Sequence, residues 1–309
     1  MKENRKDVIA LDAGDLFFKK TNSAIPEDEL KKAREKAQLI LEGFNLMGYD
    51  AFGIGDDDLT LGKEFLTEMS KKAKFPFLSS NIALEDSGKL LFQPYLLKEI
   101  AGMKIGIFSL FSPDLFIGPN DLRKKGMVFL DPAETAQTMV RELQPKTDLI
   151  ILLSHLSYPK DVELAQNISG IHLIIGGHTG SNLIYPPLIK NTYILQTAPK
   201  GMYGARIDFV FNNNTFSFYN STEKRSLESR LNYVKYRLTA KETPERDKAQ
   251  LLKSKQDTER ALALLEGKNE FTNIVFPLRD GMKDDPDILK MVDEYKLKYP
   301  ETEKPAPPK

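Results

Sequence analysis

The sequence predicts a layered α/β domain followed by a helical hairpin, and three observations predict it. Short apolar runs rich in β-branched residues alternate with stretches of helical periodicity between residues 7 and 220. Several of these runs stop at an acid or a histidine: Val8-Ile-Ala-Leu-Asp-Ala-Gly-Asp15, Gly55-Asp-Asp-Asp58, Leu149-Ile-Ile-Leu-Leu-Ser-His155 and Leu173-Ile-Ile-Gly-Gly-His178. From Thr222 to Gly267 the composition turns to charge and helix formers, broken once at Pro244.

Residues 7 to 11 read as a buried strand. Glu27 to Met47 reads as a helix, with Pro26 at its start, Glu27, Asp28 and Glu29 at its positive end, and Gly48 as its stop. Its apolar positions Leu30, Ala33, Ala37, Ile40, Leu41 and Phe44 recur at helical spacing. Ala51 to Ile54 reads as the next strand, followed by the Asp triplet and a helix over about 61 to 72. Phe77 to Ser79 reads as a short strand and Gly102 to Leu110 as a longer one. Pro132 to Leu143 reads as a helix with Asp131 as its cap. Leu149 to Leu153 and Leu173 to Ile175 read as strands, separated by a helix that starts near Pro159. Tyr193 to Gln196, Ala205 to Phe211 and Thr215 to Tyr219 read as strands, with Asn212-Asn-Asn214 expected as a hairpin turn between the last two.

Beyond Ser221, Leu227, Leu231, Val234 and Leu238 are spaced as in a coiled-coil seam, and Leu251, Leu252, Leu262 and Leu265 supply a counterpart. The expectation is two antiparallel helices joined near Glu242 to Glu245, either a solvated arm packing on itself or an arm that forms a homodimer. Residues 271 to 278 read as one more strand, Pro286 to Tyr299 as a last helix, and 301 to 309 as a disordered tail. The expected organisation is therefore a main domain over 1–221, an arm over 222–268, a strand plus helix over 269–300, and the tail.

Composition narrows the function. A chain of 309 residues with 41% apolar content can bury one full core and carry a smaller appendage. Its net charge of zero gives no field that favours nucleic acid or an anionic membrane. No run reaches the ~18 apolar residues of a membrane span. Residues 1 to 6 lead straight into a strand and show no signal-peptide apolar region. With no cysteine, disulfides and thiolate metal sites are excluded.

Strands that stop at Asp or His put carboxylates and imidazoles along one edge of a sheet, and divalent Zn, Mn and Fe bind such mixtures. The chain has three histidines, and two of them, His155 and His178, sit at strand ends. Blander readings stand beside this one. Asp15 also reads as a turn aspartate, each histidine as a structural hydrogen-bonding residue, and the Asp triplet as a solvated loop or helix cap. His172, at the start of its strand, reads as structural.

In order, these motifs resemble the signature of the calcineurin-like metallophosphoesterases. Asp12-Ala-Gly-Asp-Leu-Phe17, Met47-Gly-Tyr-Asp-Ala-Phe52, Phe75-Pro-Phe-Leu-Ser-Ser-Asn-Ile82, Lys104-Ile-Gly-Ile-Phe108 and the stretch from Asp148 to Gly180 resemble its 5'-nucleotidase branch over roughly residues 7 to 220. The resemblance implies a four-layer α/β/β/α sandwich, a bridged two-metal centre and hydrolysis of phosphate esters, nucleotides among them. It puts Asp15 at the bridging position and His155 and His178 at two histidines that bind one ion. Asp56 takes the place of the metal-binding Asn. Asp57 takes that of the His that assists the leaving or transferring group, so Asp57 and Asp58 are the candidate catalytic residues.

Three departures from the family pattern shape the expectation. The family's opening Asp-x-His strand would lie before residue 1, so a truncated sequence or a misplaced start is expected. The Asn-His pair has become Asp56-Asp57, and an ionised Asp57 would repel phosphate. Gly177-His178-Thr179-Gly180 lacks the family's final His or Gln ligand. One ion then keeps Asp15, Asp56, His155 and His178, while a second keeps Asp15 alone, so one ion is the better supported of the one-or-two alternatives. The branch's base-stacking C-terminal domain is replaced by the helical arm, so nucleotide specificity does not transfer. Relatives of the branch are commonly exported, and that location is expected by resemblance. The competing expectation is a non-catalytic relative that binds a ligand or serves as a scaffold.

Overall fold

The apolar runs become parallel strands because β-branched side chains on both faces leave no side for water, and helices must cover them. In the computed structural model, which describes residues 7–19, 25–116, 118, 121–198, 201–213, 215 and 217–300, the chain divides into two units. One runs to Met202 and resumes at Leu278; the other is Tyr203–Pro277.

The first unit opens with β1 (Leu11–Asp12), α1 (Glu27–Met47), β2 (Ala51–Gly53), α2 (Gly62–Lys72) and β3 (Phe77–Leu78), and its three strands form a parallel sheet in the order β1-β2-β3. Ala37 and Leu41 of α1 and Phe65, Leu66 and Met69 of α2 share a core with Phe17, Phe52, Phe75 and Phe77. Each such fully buried large apolar side chain contributes about 1.5–3 kcal/mol. The expected caps of α1 are present: three acids in its first turn, and Gly48 in the left-handed region at φ 69°, donating its N–H to the Phe44 carbonyl.

Next come β4 (Ile82–Leu84), β5 (Tyr95–Ile100), β6 (Met103–Phe111) and β7 (Met127–Phe129), then α3 (Pro132–Leu143), β8 (Leu149–His155), α4 (Tyr158–Asn167), β9 (Leu173–Gly176), β10 (Leu188–Ile189) and β11 (Thr192–Leu195). Six of these strands form one sheet in the order β10-β11-β9-β8-β6-β5, parallel in its centre and antiparallel at both edges, while β4 pairs with β7. Asp131 caps α3 as expected, its side chain accepting the Glu134 N–H. Helices α3 and α4 cover the sheet through Ala136, Val140, Leu143, Leu164 and Ala165 against Phe108, Ile150, Leu152, Ile174 and Ile194. The two sheets meet face to face where Gly53 lies against Ser109 and Leu153. The order is helix, sheet, sheet, helix, the expected four-layer α/β/β/α sandwich.

The second unit departs from the sequence expectation. It contains β12 (Tyr203–Val210), β13 (Phe218–Asn220), α5 (Ser221–Thr239), α6 (Glu245–Ala263) and β14 (Asn269–Pro277). The hairpin expected at Asn212 to Asn214 does not pair its flanking strands, because β14 lies between them, antiparallel to β12 and parallel to β13. The Asn269 side chain, not a hairpin ladder, takes the N–H groups of Asn212 and Asn213; Asn214 lies outside the described residues. Phe271, the third residue of β14, is fully buried and packs against Phe209, which a two-stranded hairpin would leave exposed.

The helical pair α5–α6 forms as expected, with Pro244 at the start of α6, and it serves as the crossover that two parallel strands require. Its inner positions differ in part, since Val234 and Thr258 are buried whereas Leu252 is half exposed. The boundary expected at Ser221 thus moves to Tyr203, and the expected 269–300 segment is divided. Its strand belongs to the second unit. Its helix α7 (Pro286–Lys298) packs on α1, the Tyr295 hydroxyl donating to the Lys32 carbonyl and Lys298 pairing with Glu35. The tail from residue 301 lies outside the described residues. Among the described residues no helix is long and apolar enough to cross a membrane.

Candidate metal centre

Ligand sites of layered α/β sheets lie beyond the carboxyl ends of parallel strands. Here β1 and β2 of one sheet and β8 and β9 of the other end at the same place. The turn after β1 carries Gly14 at φ 105° and Asp15 at φ 62°. Asp is one of the few non-glycine residues that tolerates the left-handed region. Two aspartates hold the turn: Asp12 accepts the Gly14 N–H, and Asp58, fully buried, accepts those of Asp15, Leu16, Phe17 and Gly55 at 2.8–3.1 Å. Burial and the neighbouring Asp15 charge push the Asp58 pKa up, against the donors that favour its carboxylate. Burial likewise raises Asp12, to about 6.

The backbone approaches too closely here for any side chain but hydrogen. A Cβ on Gly55 would stand 2.3 Å from Asp15 Oδ1, and one on Gly177 2.6 Å from the Ala13 carbonyl.

Asp15, Asp56, His155 and His178 converge so that one ligand atom from each lies within 4.8 Å of the others. His155 Nε2 is 3.3 Å from both Asp15 Oδ2 and Asp56 Oδ1. Its Nδ1 is 2.8 Å from the Ala13 carbonyl, which can only accept, so Nδ1 carries a proton. Neutral His155 therefore turns the lone pair of Nε2 toward two carboxylate oxygens. That arrangement asks for a positive charge between them, either a second proton or a cation. Burial alone would lower the His155 pKa, but the Asp15 charge and hydrogen bonds to Asp15 and Asp56 raise it well above the ordinary value. Asp56 is also buried, which opposes its charge, yet the hydrogen bond to His155 and the proximity of both imidazoles hold its carboxyl well below the usual range.

His178 Nδ1 completes the group. It lies 3.3 Å from Asp56 Oδ1 in a geometry that makes no hydrogen bond, and it is a buried polar atom without a partner among the described residues. Such an atom is costly unless something fills its lone-pair direction. The loop that carries His178 is fixed from behind, where the Gln196 amide donates to the Gly177 carbonyl and to Thr179 Oγ1. Two carboxylate oxygens and two imidazole nitrogens, one of them the orphaned Nδ1 of His178, fit a divalent cation. His172 sits apart from this group, its Nδ1 accepting the Ile150 N–H, as its structural reading expects.

No protein-family model matches the sequence. The chain is 31% identical over 237 residues to a 5'-nucleotidase of Vibrio cholerae, which covers 67% of this chain and 41% of that protein. It is 29% identical over 244 residues to the protein UshA of Escherichia coli, covering 69% and 43%. Among solved structures it is similar to the 5'-nucleotidase precursor of Thermus thermophilus, with a TM-score of 0.57, 28% identity, and 69% of this chain and 44% of that one covered. The chain belongs to the 5'-nucleotidase-like branch of the metallophosphoesterases. It spans less than half the length of each of these relatives.

Within the metallophosphoesterase unit the two candidate catalytic acids take different places. Asp58 lies beneath the Asp15 turn, where its oxygens are occupied by backbone N–H groups. Asp57 is buried beside the ligand group; its N–H donates to Asp15 Oδ1 at 2.9 Å and its carboxylate pairs with Arg123 at 3.1 Å. Arg123 is the residue that sequence reading missed. It follows no apolar run and lies 66 residues from Asp57 in the chain. The signal that could have flagged it is physical: three adjacent acids at a buried strand end need a compensating cation.

Proposed function

We propose that this metallophosphoesterase unit holds one divalent ion and hydrolyses phosphate esters, with a nucleotide-like monoester as substrate. The observation that carries the reading is the orphaned Nδ1 of His178 facing a carboxylate oxygen that His155 also faces. Asp15, Asp56, His155 and His178 would hold the ion, and their mixture of oxygen and imidazole donors suits Zn, Mn or Fe. When bound, a divalent ion supplies Lewis-acid polarisation of a phosphoryl oxygen.

The chain's own residues prepare the site. The Ala13 carbonyl keeps the His155 proton on Nδ1 and leaves Nε2 for the ion. The Asp57 N–H holds Asp15 Oδ1 and leaves Oδ2 toward His155. Asp58 fixes the backbone on which Asp15 stands. Neither Asp57 nor Asp58 is assigned proton transfer in this reading, because one is paired with Arg123 and the other is buried under the turn. The nucleotide preference rests on the names of the relatives.

The test is metal content and hydrolysis on one purified sample, using an aryl phosphate and nucleotides with added Mn or Zn. A single bound ion per chain and turnover, both lost in His178→Ala, is the expected result. A bound ion without turnover would make the unit a non-catalytic binding protein. No bound ion would overturn the reading.

A further inference from the structure

The Arg123 guanidinium meets three aspartates. One nitrogen, Nη1, lies 2.9 Å from Asp56 Oδ2 and 3.1 Å from Asp57 Oδ1. The other side of the fork, Nε and Nη2, holds Asp121 at 2.9–3.3 Å, and the group lies over the Phe116 ring with its centre 5.3 Å from the centroid. Its side chain is only 10% exposed. Asp121 also accepts the Arg123 backbone N–H, so the turn that carries the arginine is closed on itself and presents the guanidinium in one orientation.

The consequence falls on Asp56. Its Oδ1 is 3.3 Å from both His155 Nε2 and His178 Nδ1, while its Oδ2 is engaged by Arg123. A carboxylate free at both oxygens can rotate and chelate an ion through either or both. With Oδ2 engaged, one oxygen remains for the ligand group. Asp15 is arranged the same way, with the Asp57 N–H in the place of the arginine. Both carboxylates therefore offer single oxygens to the imidazoles, Asp15 to His155 and Asp56 to both His155 and His178. The same Nη1 neutralises Asp57, whose unpaired charge would repel a phosphate ester.

We infer that Arg123 is a positioning residue of the metal centre: it fixes Asp56 as a one-oxygen ligand and cancels the charge of Asp57. This rests on the metal reading given above. Arginine suits the task better than lysine, because a planar fork reaches three carboxylates in fixed geometry.

The test is a calorimetric titration of the metal-free chain with Mn²⁺, with folding checked by circular dichroism. Arg123→Gln should weaken Mn²⁺ binding about tenfold to a hundredfold, the usual cost of losing a residue that orients a metal ligand. In an Asp56→Asn background, the same change should cost less than about threefold, since the carboxylate that Arg123 acts through is gone. Should Arg123→Gln not fold, Arg123→Lys carries the test; an ammonium has no fork to hold Asp121 while it meets Asp56 and Asp57, so its orientation is looser and binding weakens by a smaller factor that Asp56→Asn again abolishes. Unchanged Mn²⁺ affinity in a folded Arg123 variant, or a loss that persists in the Asp56→Asn background, overturns the positioning role and leaves the metal reading intact. Failure of the unsubstituted chain to bind Mn²⁺ overturns both.

Discussion

Ser157 is the residue whose backbone is hardest to reconcile with its identity. It stands two positions after His155, at the start of α4, with φ 121° and ψ 153°. That region is essentially reserved for glycine, and a side chain there costs of order 1–3 kcal/mol. The Ser157 hydroxyl makes no capping hydrogen bond to α4 in return. The contact that does matter, the Ser157 carbonyl accepting the Asp161 N–H at 3.0 Å, is made by backbone and survives substitution. Replacing Ser157 with glycine should therefore release the strain and lose little. Glycine also enlarges the freedom of the unfolded chain, which offsets roughly 0.4–1 kcal/mol. The net expectation is a stabilisation of about 0.5–2 kcal/mol. Urea unfolding reads this as a midpoint raised by a few tenths of a molar or more, at unchanged slope. Ser157→Ala is the control: it keeps the Cβ and hence the strain, so its midpoint should stay near that of the parent. A glycine variant no more stable than the alanine variant would refute the argument, because the side chain would then not be the source of strain.

Two further expectations follow from the site and its support. Gly55→Ala would place a Cβ 2.3 Å from Asp15 Oδ1, so Asp15 must move, and Mn²⁺ binding should weaken at least tenfold in a chain destabilised by about 1–3 kcal/mol; calorimetry and urea unfolding together check it. Asp161 is buried against Ser154, and burial raises its pKa to about 7. Between the ordinary carboxylate value and pH 7 the unfolded chain has released a proton that the folded chain keeps, so stability falls as pH rises through that window and levels above it. The contribution is on the order of 4 kcal/mol at most. Asp161→Asn should flatten this slope between pH 4 and 7, and an unchanged slope would show that Asp161 is not its source.

What could be read from the sequence was whatever neighbours in the chain decide. Helices α1 and α3 start and stop where expected, because their caps are local: acids and Gly48 around one, Asp131 and Pro132 at the start of the other. The buried strands of the larger sheet were legible because a β-branched run has few other fates, whereas the buried strand expected over 7–11 shortens to the half-buried pair Leu11–Asp12, with Val8 exposed. The four ligand candidates were legible because each ends such a run, and parallel strands bring their ends together. Tertiary structure decided what depends on distant partners. The Asn212 stretch has turn composition, but pairing β14 with both β12 and β13 buries Phe271 against Phe209, which outweighs a local hairpin. Adjacent aspartates in the triplet look equivalent in sequence, yet Asp56 faces the histidines, Asp57 meets Arg123 and Asp58 turns under the Asp15 loop. Gly55 aside, which way each points is set by donors 41 to 67 residues away, and charges buried together are stable only where the folded chain supplies those donors.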